Sequence, residues 1–495
     1  MRALFVTSEA YPFTKTGGLA DVSAALPAQL MTLGIDIRIL MPAYPQALER
    51  AEQLKEIARF GNVLGCGGTR LLETHMPNSR VPVGLVDCPE LYNRDGGPYQ
   101  DANGTDWPDN DLRFAMLSHV AAGIANEAGG RWRPDVLHAN DWHAGLAPML
   151  TSRRSGSGPA TLFTIHNLAY QGLFDETSFD RLELPPDTFQ RLEFYGRLSF
   201  LKAGIAAADA ITTVSPTYAQ EILTPEYGCG LDGLLRERAG NISGILNGAD
   251  YGLWDPNLDP YISCNYSANA VLPKQVCKRA LQAENDLAPD PEAPLVCFMS
   301  RLVHQKMPDV LLESLPTLLE SGMQFALVAE GDTQYQDRFR ALAERYPGQV
   351  SVHIGYDEAR AHRLIAGADM LLHPARFEPC GLVPIYAMRY GTIPIVRRSG
   401  GMADTVVDAT PENLKSVTAT GFCFETTNAS DLIACARSAL ALYGQPILWR
   451  KLQANAMSQD FGWSQSAERY ASLYRSLAED EKDDAEIAGS ERMFA

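Results

Sequence analysis

The stretch Arg376-Phe377-Glu378-Pro379-Cys380-Gly381-Leu382 puts a carboxylate, a thiol and a glycine between a strand-like segment, Met370–His373, and an apolar, helix-patterned run over residues 383–389. A turn of this kind is where open α/β sheets bind ligands. Amide donors at a helix start favour phosphate and other negative groups, and a carboxylate held beside them can face an electron-poor carbon of the same ligand. The combination points to chemistry on a phosphorylated or nucleotide-linked substrate. Taken by itself, the segment suits equally well a solvated glutamate and a glycine that only permits the bend.

Three other places carry groups of matching chemistry. Lys15-Thr16-Gly17-Gly18-Leu19-Ala20-Asp21 follows a buried-strand pattern and opens a helix. Its glycines allow backbone amides to approach a ligand, and Lys15 adds a point charge, although an ordinary tight turn fits as well. It matches neither the P-loop nor the G-x-G-x-x-G fingerprint. Arg301 and Lys306, five residues apart after a strand pattern, suit a diphosphate, the arginine by its fork and the lysine as a point charge. Two further strands end in Asp141-Trp142-His143 and in His166-Asn167. These residues suit hydrogen bonding to sugar hydroxyls. A metal site from His138, Asp141 and His143 is the alternative, but strand-to-loop spacing sets no chelating geometry and no H-E-x-x-H or Cys/His set is present.

The elements that must position these groups form alternating strand and helix patterns, which indicate α/β architecture with parallel sheets. Strand 2–7, helix 22–33 and strand 36–41 make a first β-α-β unit. Helix patterns are expected over 112–127 and 191–208. A stretch rich in Pro, Asn and Tyr over 254–266 is the expected linker. The pattern restarts with a strand at 295–299 and a helix at 308–319, so the second half repeats the opening of the first. A helix pattern covers 464–477, and the acidic tail from 479 is expected to be disordered.

Composition limits the classes of function. The 495 residues, 46% hydrophobic and 21% charged, suffice for two cores. A net charge of −18 argues against a nucleic-acid or anionic-membrane partner. Nine scattered cysteines without a C-x-x-C pair indicate a reducing, cytoplasmic compartment. No apolar run reaches the roughly 18 residues of a membrane span.

Together, Lys15 to Asp21, Asp141-Trp142-His143, His166-Asn167-Leu168-Ala169-Tyr170-Gln171-Gly172, Asn247-Gly248 with Asp250-Tyr251, and Arg376 to Leu382 resemble the bacterial glycogen synthase and plant starch synthase family. The resemblance runs in order to about residue 475. It implies the GT-B fold, two Rossmann-like domains facing across a cleft, with an N-terminal domain over 1–253, a C-terminal domain over 254–460 and a helix over 461–478 returning to the first. It implies retaining transfer of glucose from ADP-glucose to the non-reducing end of an α-1,4-glucan, with no metal. Carried over by motif, Lys15, Gly17 and Gly18 would contact the donor phosphates, and Arg301 and Lys306 would hold the diphosphate. Glu378 would lie beside the donor glucose, and amides around Cys380, Gly381 and Leu382 would bind its hydroxyls. Asp141 and His166 would position the glucose, and Asn247 would lie near the acceptor.

Three segments depart from the family pattern. Met307-Pro308 stands where glycine usually follows Gln-Lys, and the proline is expected to push Met307 toward extended backbone. Ala329-Glu330-Gly331-Asp332 replaces G-x-G-D, and Val383-Pro384 follows Cys-Gly-Leu. These departures leave open a UDP-glucose-using enzyme or a catalytically weak glucan-binding relative. A Rossmann oxidoreductase is disfavoured, because no dinucleotide fingerprint follows any strand.

Overall fold

The computed structural model describes residues 1–77, 79–126, 132–151 and 158–493, with side chains described through residue 479. The chain forms two compact units. The first is Met1–Gly248 together with the chain from Trp463 onward, and the second is Ala249–Gly462.

Among the described residues, the first unit is built on a nine-stranded sheet: β1 (Arg2–Val6), β2 (Asp36–Pro42), β3 (Lys55–Arg59), β4 (Arg70–His75), β5 (Pro82–Asp87), β6 (Val136–Asn140), β7 (Ala160–Ile165), β10 (Ala210–Thr213) and β11 (Ile242–Gly244). A separate hairpin pairs β8 (Leu173–Asp175) with β9 (Arg197–Ser199). The main sheet runs β11-β10-β7-β6-β1-β2-β5-β4-β3, parallel from β11 through β5 and antiparallel at β4 and β3. Its central strands are nearly continuous apolar runs, as strands covered on both faces must be. Phe5, Val6, Leu162 and Phe163 are fully buried, each contributing about 1.5–3 kcal/mol by leaving water.

The closing helix, Trp463–Met493, packs against the helix Gly18–Thr32 of the same unit. Tyr470 and Tyr474 are buried there, and the Tyr474 hydroxyl lies 2.7 Å from His138 Nδ1. The helix continues through 479–493, where disorder is expected from the acidic composition; residues 494 and 495 lie outside the described residues. The segment is acidic, but its Ala, Glu and Lys content favours helix.

The second unit holds a parallel sheet ordered β14-β13-β12-β15-β16-β17, with β12 (Leu295–Leu302), β13 (Gln324–Gly331), β14 (Val350–Ile354), β15 (Met370–His373), β16 (Ile393–Arg397) and β17 (Phe422–Phe424).

Two expectations about local structure are corrected. The stretch 254–266 is not a linker but part of the second unit: Trp254 stacks on His362 at 3.8 Å and on Tyr386 at 4.3 Å. Asp259, buried, receives the Tyr390 hydroxyl at 2.6 Å. Aromatic side chains that find ring partners override the loop-like composition. The run 191–208 is not one helix. Tyr195 and Gly196 take left-handed backbone, with φ of 50° and 76°, and turn the chain into β9. Helix resumes only at Phe200–Ala207, where the Ser199 side chain caps the Lys202 amide. The helix expected over 112–127 is observed as Asn110–Asn126, and residue 127 lies outside the described residues.

Candidate functional site

In each sheet the strand order reverses at one point. β1 leads to β2 on one side while β6 and β7 lie on the other, and β12 leads to β13 while β15 and β16 lie opposite. Loops leaving such neighbouring strands diverge and open a crevice at their carboxyl ends. The predicted site residues gather at these two reversals, Asn247 and the 166–167 turn lying along the same edge of the first sheet.

In the first unit, the loop after β1 is organised by a residue that sequence reasoning passed over. The buried Glu9 carboxylate accepts hydrogen bonds from the Thr16 and Gly17 amides and from the Tyr99 hydroxyl at 3.0 Å. Burial pushes Glu9 up to about 7 despite those hydrogen bonds. The Gly17 amide, expected to meet a phosphate, is thus turned toward Glu9. Gly17 itself has φ of −159°, open to any residue, and a Cβ there would meet no atom within 4 Å. Neither packing nor backbone geometry therefore accounts for a glycine at this position. Gly18 is exposed as the first helical residue, and Lys15 Nζ lies 3.0 Å from Asp21 Oδ1. The signal for Glu9 was its position as the second residue after Thr7 at the end of the first strand pattern.

At the end of β6, Asp141 takes φ of 55° and ψ of −177°, a conformation that costs of order 1–3 kcal/mol outside glycine. It is over-determined there: its amide donates to Thr164 O at 2.9 Å, and its Oδ1 receives the His166 amide at 2.7 Å. Burial pushes the Asp141 carboxyl up to about 7. The His166 ring is placed by Asn140, whose Nδ2 donates to Val6 O at 3.1 Å, leaving Oδ1 to accept from His166 Nε2 at 3.0 Å. Burial lowers His166 to about 3, so the imidazole is neutral and Nδ1 is its acceptor atom. Asn247 is buried with its Oδ1 unpaired. His138 spends both ring nitrogens on Tyr474 and Thr164, which removes it from the metal set considered above. Among the described residues, no group of three His, Cys, Asp or Glu side chains is disposed to hold a metal.

In the second unit, Arg301 lies near the end of β12, and Lys306 ends a 3-10 turn, His304–Lys306. Lys306 Nζ bonds Glu378 Oε2, and both side chains are about nine-tenths buried. Burial alone would raise the Glu378 carboxyl, but Lys306 outweighs it and, with His373, holds it down at about 2. His373, the last residue of β15, reaches the same Oε2 through Nε2 at 3.1 Å, and its buried Nδ1 has no partner. This histidine is a second residue that sequence reasoning quoted only as strand.

The Lys306 turn is stapled to the motif that carries Glu378. The Arg376 amide donates to Gln305 O at 2.8 Å, and its guanidinium donates to His304 O at 2.7 Å and to both Asp309 oxygens at 3.1 and 2.7 Å. Gln305 Nε2 returns to Phe377 O at 3.0 Å. Met307 is not extended, as its proline neighbour suggests, but left-handed, with φ of 52° and ψ of 42°. Those clamps and its fully buried side chain hold it there, in the conformation for which glycine is the usual residue. Cys380 is buried, and Gly381 caps the helix Leu382–Arg389 at φ of 83°. Gly401 packs so closely on this turn that a Cβ would lie 2.0 Å from Cys380 O, and its amide donates to Glu378 O at 3.1 Å. Pro384 sits in the first turn of the helix, where its missing N–H costs nothing.

Comparison with known proteins agrees with this geometry. Residues 2–237 match the starch synthase catalytic domain, and residues 282–457 match glycosyl transferases group 1. The chain is 48% identical to a glycogen synthase of Paramagnetospirillum magneticum over 96% of this chain and 98% of that one. It is 50% identical to a glycogen synthase of Thioalkalivibrio sulfidiphilus over 96% of this chain and 100% of the relative. Among solved structures, the catalytic domain of starch synthase IV from Arabidopsis thaliana, bound to ADP and acarbose, superposes with a TM-score of 0.88 at 29% identity, covering 97% of this chain and 99% of that one. A sucrose-phosphate synthase from Thermosynechococcus elongatus shares the fold, with a TM-score of 0.59 at 19% identity over 96% of this chain and 98% of that one. With the α/β units, the two strand-order reversals and full-length relatives in agreement, this chain is a GT-B glycosyltransferase belonging to the glycogen synthase and starch synthase family.

Proposed function

We propose that the protein uses ADP-glucose as donor and extends the non-reducing end of an α-1,4-glucan such as glycogen, with retention at the anomeric carbon. The observation that carries this reading is the buried Lys306–Glu378 pair at the strand-order reversal of the second unit. Breaking the glucosyl–phosphate bond builds negative charge on the departing diphosphate and positive charge on the sugar carbon. Lys306 and Arg301 stabilise the first, and Glu378, ionised because its pKa is held at about 2, stabilises the second. An incoming diphosphate competes with Glu378 for Lys306, so the resting ion pair must give way when the donor arrives. Amides of Cys380, Gly381 and Leu382 bind donor hydroxyls. In the first unit Lys15, Gly17 and Gly18 are the candidates for phosphate contact; with the Gly17 amide held by Glu9, the support from Gly17 is its missing side chain, since neither packing nor φ demands a glycine there.

Neutral His166 offers Nδ1 to a sugar hydroxyl, and Asp141 supports it by holding the 166–167 turn rather than by direct contact. Asn247 is assigned to the acceptor end, an assignment supported by its buried Oδ1, which has no partner. No metal is required, because the cations on the diphosphate are side chains. The reaction belongs in the cytoplasm, a placement supported by nine free thiols.

The test is incubation with labelled ADP-glucose or UDP-glucose and glycogen, with polymer-bound label as the readout. Incorporation from ADP-glucose is expected. Incorporation only from UDP-glucose would transfer the donor assignment, and none from either would leave a glucan-binding relative.

A further inference from the structure

Glu378 has two nitrogen partners on one oxygen, and an incoming diphosphate claims one of them. Lys306 Nζ and His373 Nε2, the latter at 3.1 Å, both bond Oε2. All three side chains are buried. The lysine belongs to the turn after β12 and the histidine to the end of β15, so the carboxylate is gripped from two adjacent strands.

This grip fixes the tautomer of His373. An ionised Glu378 only accepts hydrogen bonds, so Nε2 carries the hydrogen it donates, and Nδ1 is left as a buried lone pair without a partner. Nδ1 is therefore the one atom of the ring that can take a proton. In the resting site, burial and the Lys306 charge hold the ring below the usual histidine range, against the pull of Glu378. Those two are the charges that act on it. On β16 its register partner is the apolar Val396, and the neighbouring Arg397 donates to the Ala375, Arg376 and Glu425 carbonyls. The helix Leu382–Arg389, packed on β15, buries Pro384, Ile385, Tyr386, Ala387 and Met388, none of them charged.

A diphosphate reverses the balance. Once its oxygens hold Lys306, the cation that opposes a proton on His373 is neutralised, and Glu378 becomes a buried carboxylate without its counter-ion, a costly state. A proton from solvent adding to Nδ1 makes His373 the replacement cation, with the hydrogen bond from Nε2 already in place.

We infer that His373 is a positioning residue that replaces Lys306 as the partner of Glu378 when the donor binds, taking up a proton as it does so and keeping the carboxylate ionised beside the sugar carbon. The inference rests on the transfer reading given above.

The test is calorimetric titration of the full-length protein with ADP-glucose, without glucan, in two buffers of different ionisation enthalpy. ADP-glucose suits the purpose because its diphosphate, esterified at both ends, has no proton to lose near neutral pH. His373→Gln keeps a donor for Glu378 but cannot titrate. At pH 7 the wild type is expected to take up protons that this variant does not. At pH 8 the two affinities are expected to agree within about twofold, and at pH 6 the variant should bind about tenfold more weakly, the equivalent of roughly one unit of linked titration. Equal proton counts, or equal weakening at both pH values as structural damage would give, overturn the role. Should the variant not fold, nitrogen-labelled histidine spectra of the wild type decide: one ring is expected to become imidazolium on adding ADP-glucose, and none doing so overturns the inference. UDP-glucose takes the place of ADP-glucose in every arm if it alone binds. Because binding is read apart from transfer, a donor that binds without the proton leaves the transfer reading standing, whereas binding of neither donor removes both.

Discussion

The two sheets reverse strand order in the same manner, yet the buried carboxylates gathered at the two reversals are shifted in opposite directions. At the ends of β1 and β6, burial dominates: Glu9 and Asp141 are pushed up to about 7 and His166 down to about 3, so neutral forms are favoured. At the ends of β12 and β15, an equally buried carboxylate, Glu378, is held at about 2 because Lys306 lies against it. Topology supplies the crevice in both cases. Lys306, aided by His373, decides whether the carboxylate in it is an ion.

The contrast is most strongly broken by removing that lysine. Lys306→Ala is expected to lower kcat about a hundredfold to a thousandfold, as for loss of one preorganised group on developing charge. It should also cost about 3–5 kcal/mol of stability in urea unfolding, because Glu378 is left buried without its cation. The double variant Lys306→Met with Glu378→Gln should regain most of that stability and none of the turnover. Wild-type turnover in purified Lys306→Ala would refute the charge assignment.

Next in size is the staple. Arg376→Ala removes the fork that spans His304 O and Asp309, and a misplacement of about 1 Å at Lys306 is worth about a hundredfold in kcat. Partial recovery on adding guanidinium ion would separate loss of positioning from global damage, and Asp309→Ala in the Arg376→Ala background should add little further loss.

The first unit is probed by pH. Glu9 has its folded value raised from 4.5 to about 7, so the stability it contributes is present below 4.5 and is lost as pH rises through about 7. Urea midpoints should therefore fall between pH 5 and pH 8. Glu9→Gln should reduce that fall, by on the order of 2–3 kcal/mol. Glu378→Gln should leave the slope in this window unchanged, since the Glu378 contribution is lost only as pH falls from 4.5 toward about 2.

The smallest expected effect concerns Met307. Glycine and alanine both lose the buried side chain, but glycine relieves the left-handed backbone. Met307→Gly should thus unfold at higher urea than Met307→Ala, by about 1 kcal/mol. Equal midpoints would mean that the clamps, not the residue, bear the strain.

Much of this was legible in the sequence, for physical reasons. Buried parallel strands are continuous apolar runs, so Met370–His373 and the helix Pro308–Leu319 emerge with their observed bounds. Strand-to-loop motifs likewise led to Lys306 and Glu378, although nothing in their spacing revealed that they bond each other. Glu9 and His373 were invisible because each lies at the last turn of an apolar run, where a polar residue reads as an end signal. Their roles depend on groups far along the chain, Tyr99 in one case and Lys306 in the other. Met307 departs from its pre-proline bias because that bias is local, whereas the Arg376 clamps that set the turn come from distant sequence. The 254–266 stretch reads as a linker because its loop composition hides stacking partners about a hundred residues away.

The closing helix has a consequence for synthesis. Because it belongs to the first unit, that unit cannot be completed when residue 248 leaves the ribosome. Until Tyr474 arrives, His138 Nδ1 lacks its partner and the apolar face of Gly18–Thr32 lacks its cover. At roughly 5–20 residues per second, the wait is on the order of ten to forty seconds. The second unit, translated later but continuous in sequence, is finished first. Chaperone capture of nascent chains should accordingly concentrate on the half of the protein that is made earliest.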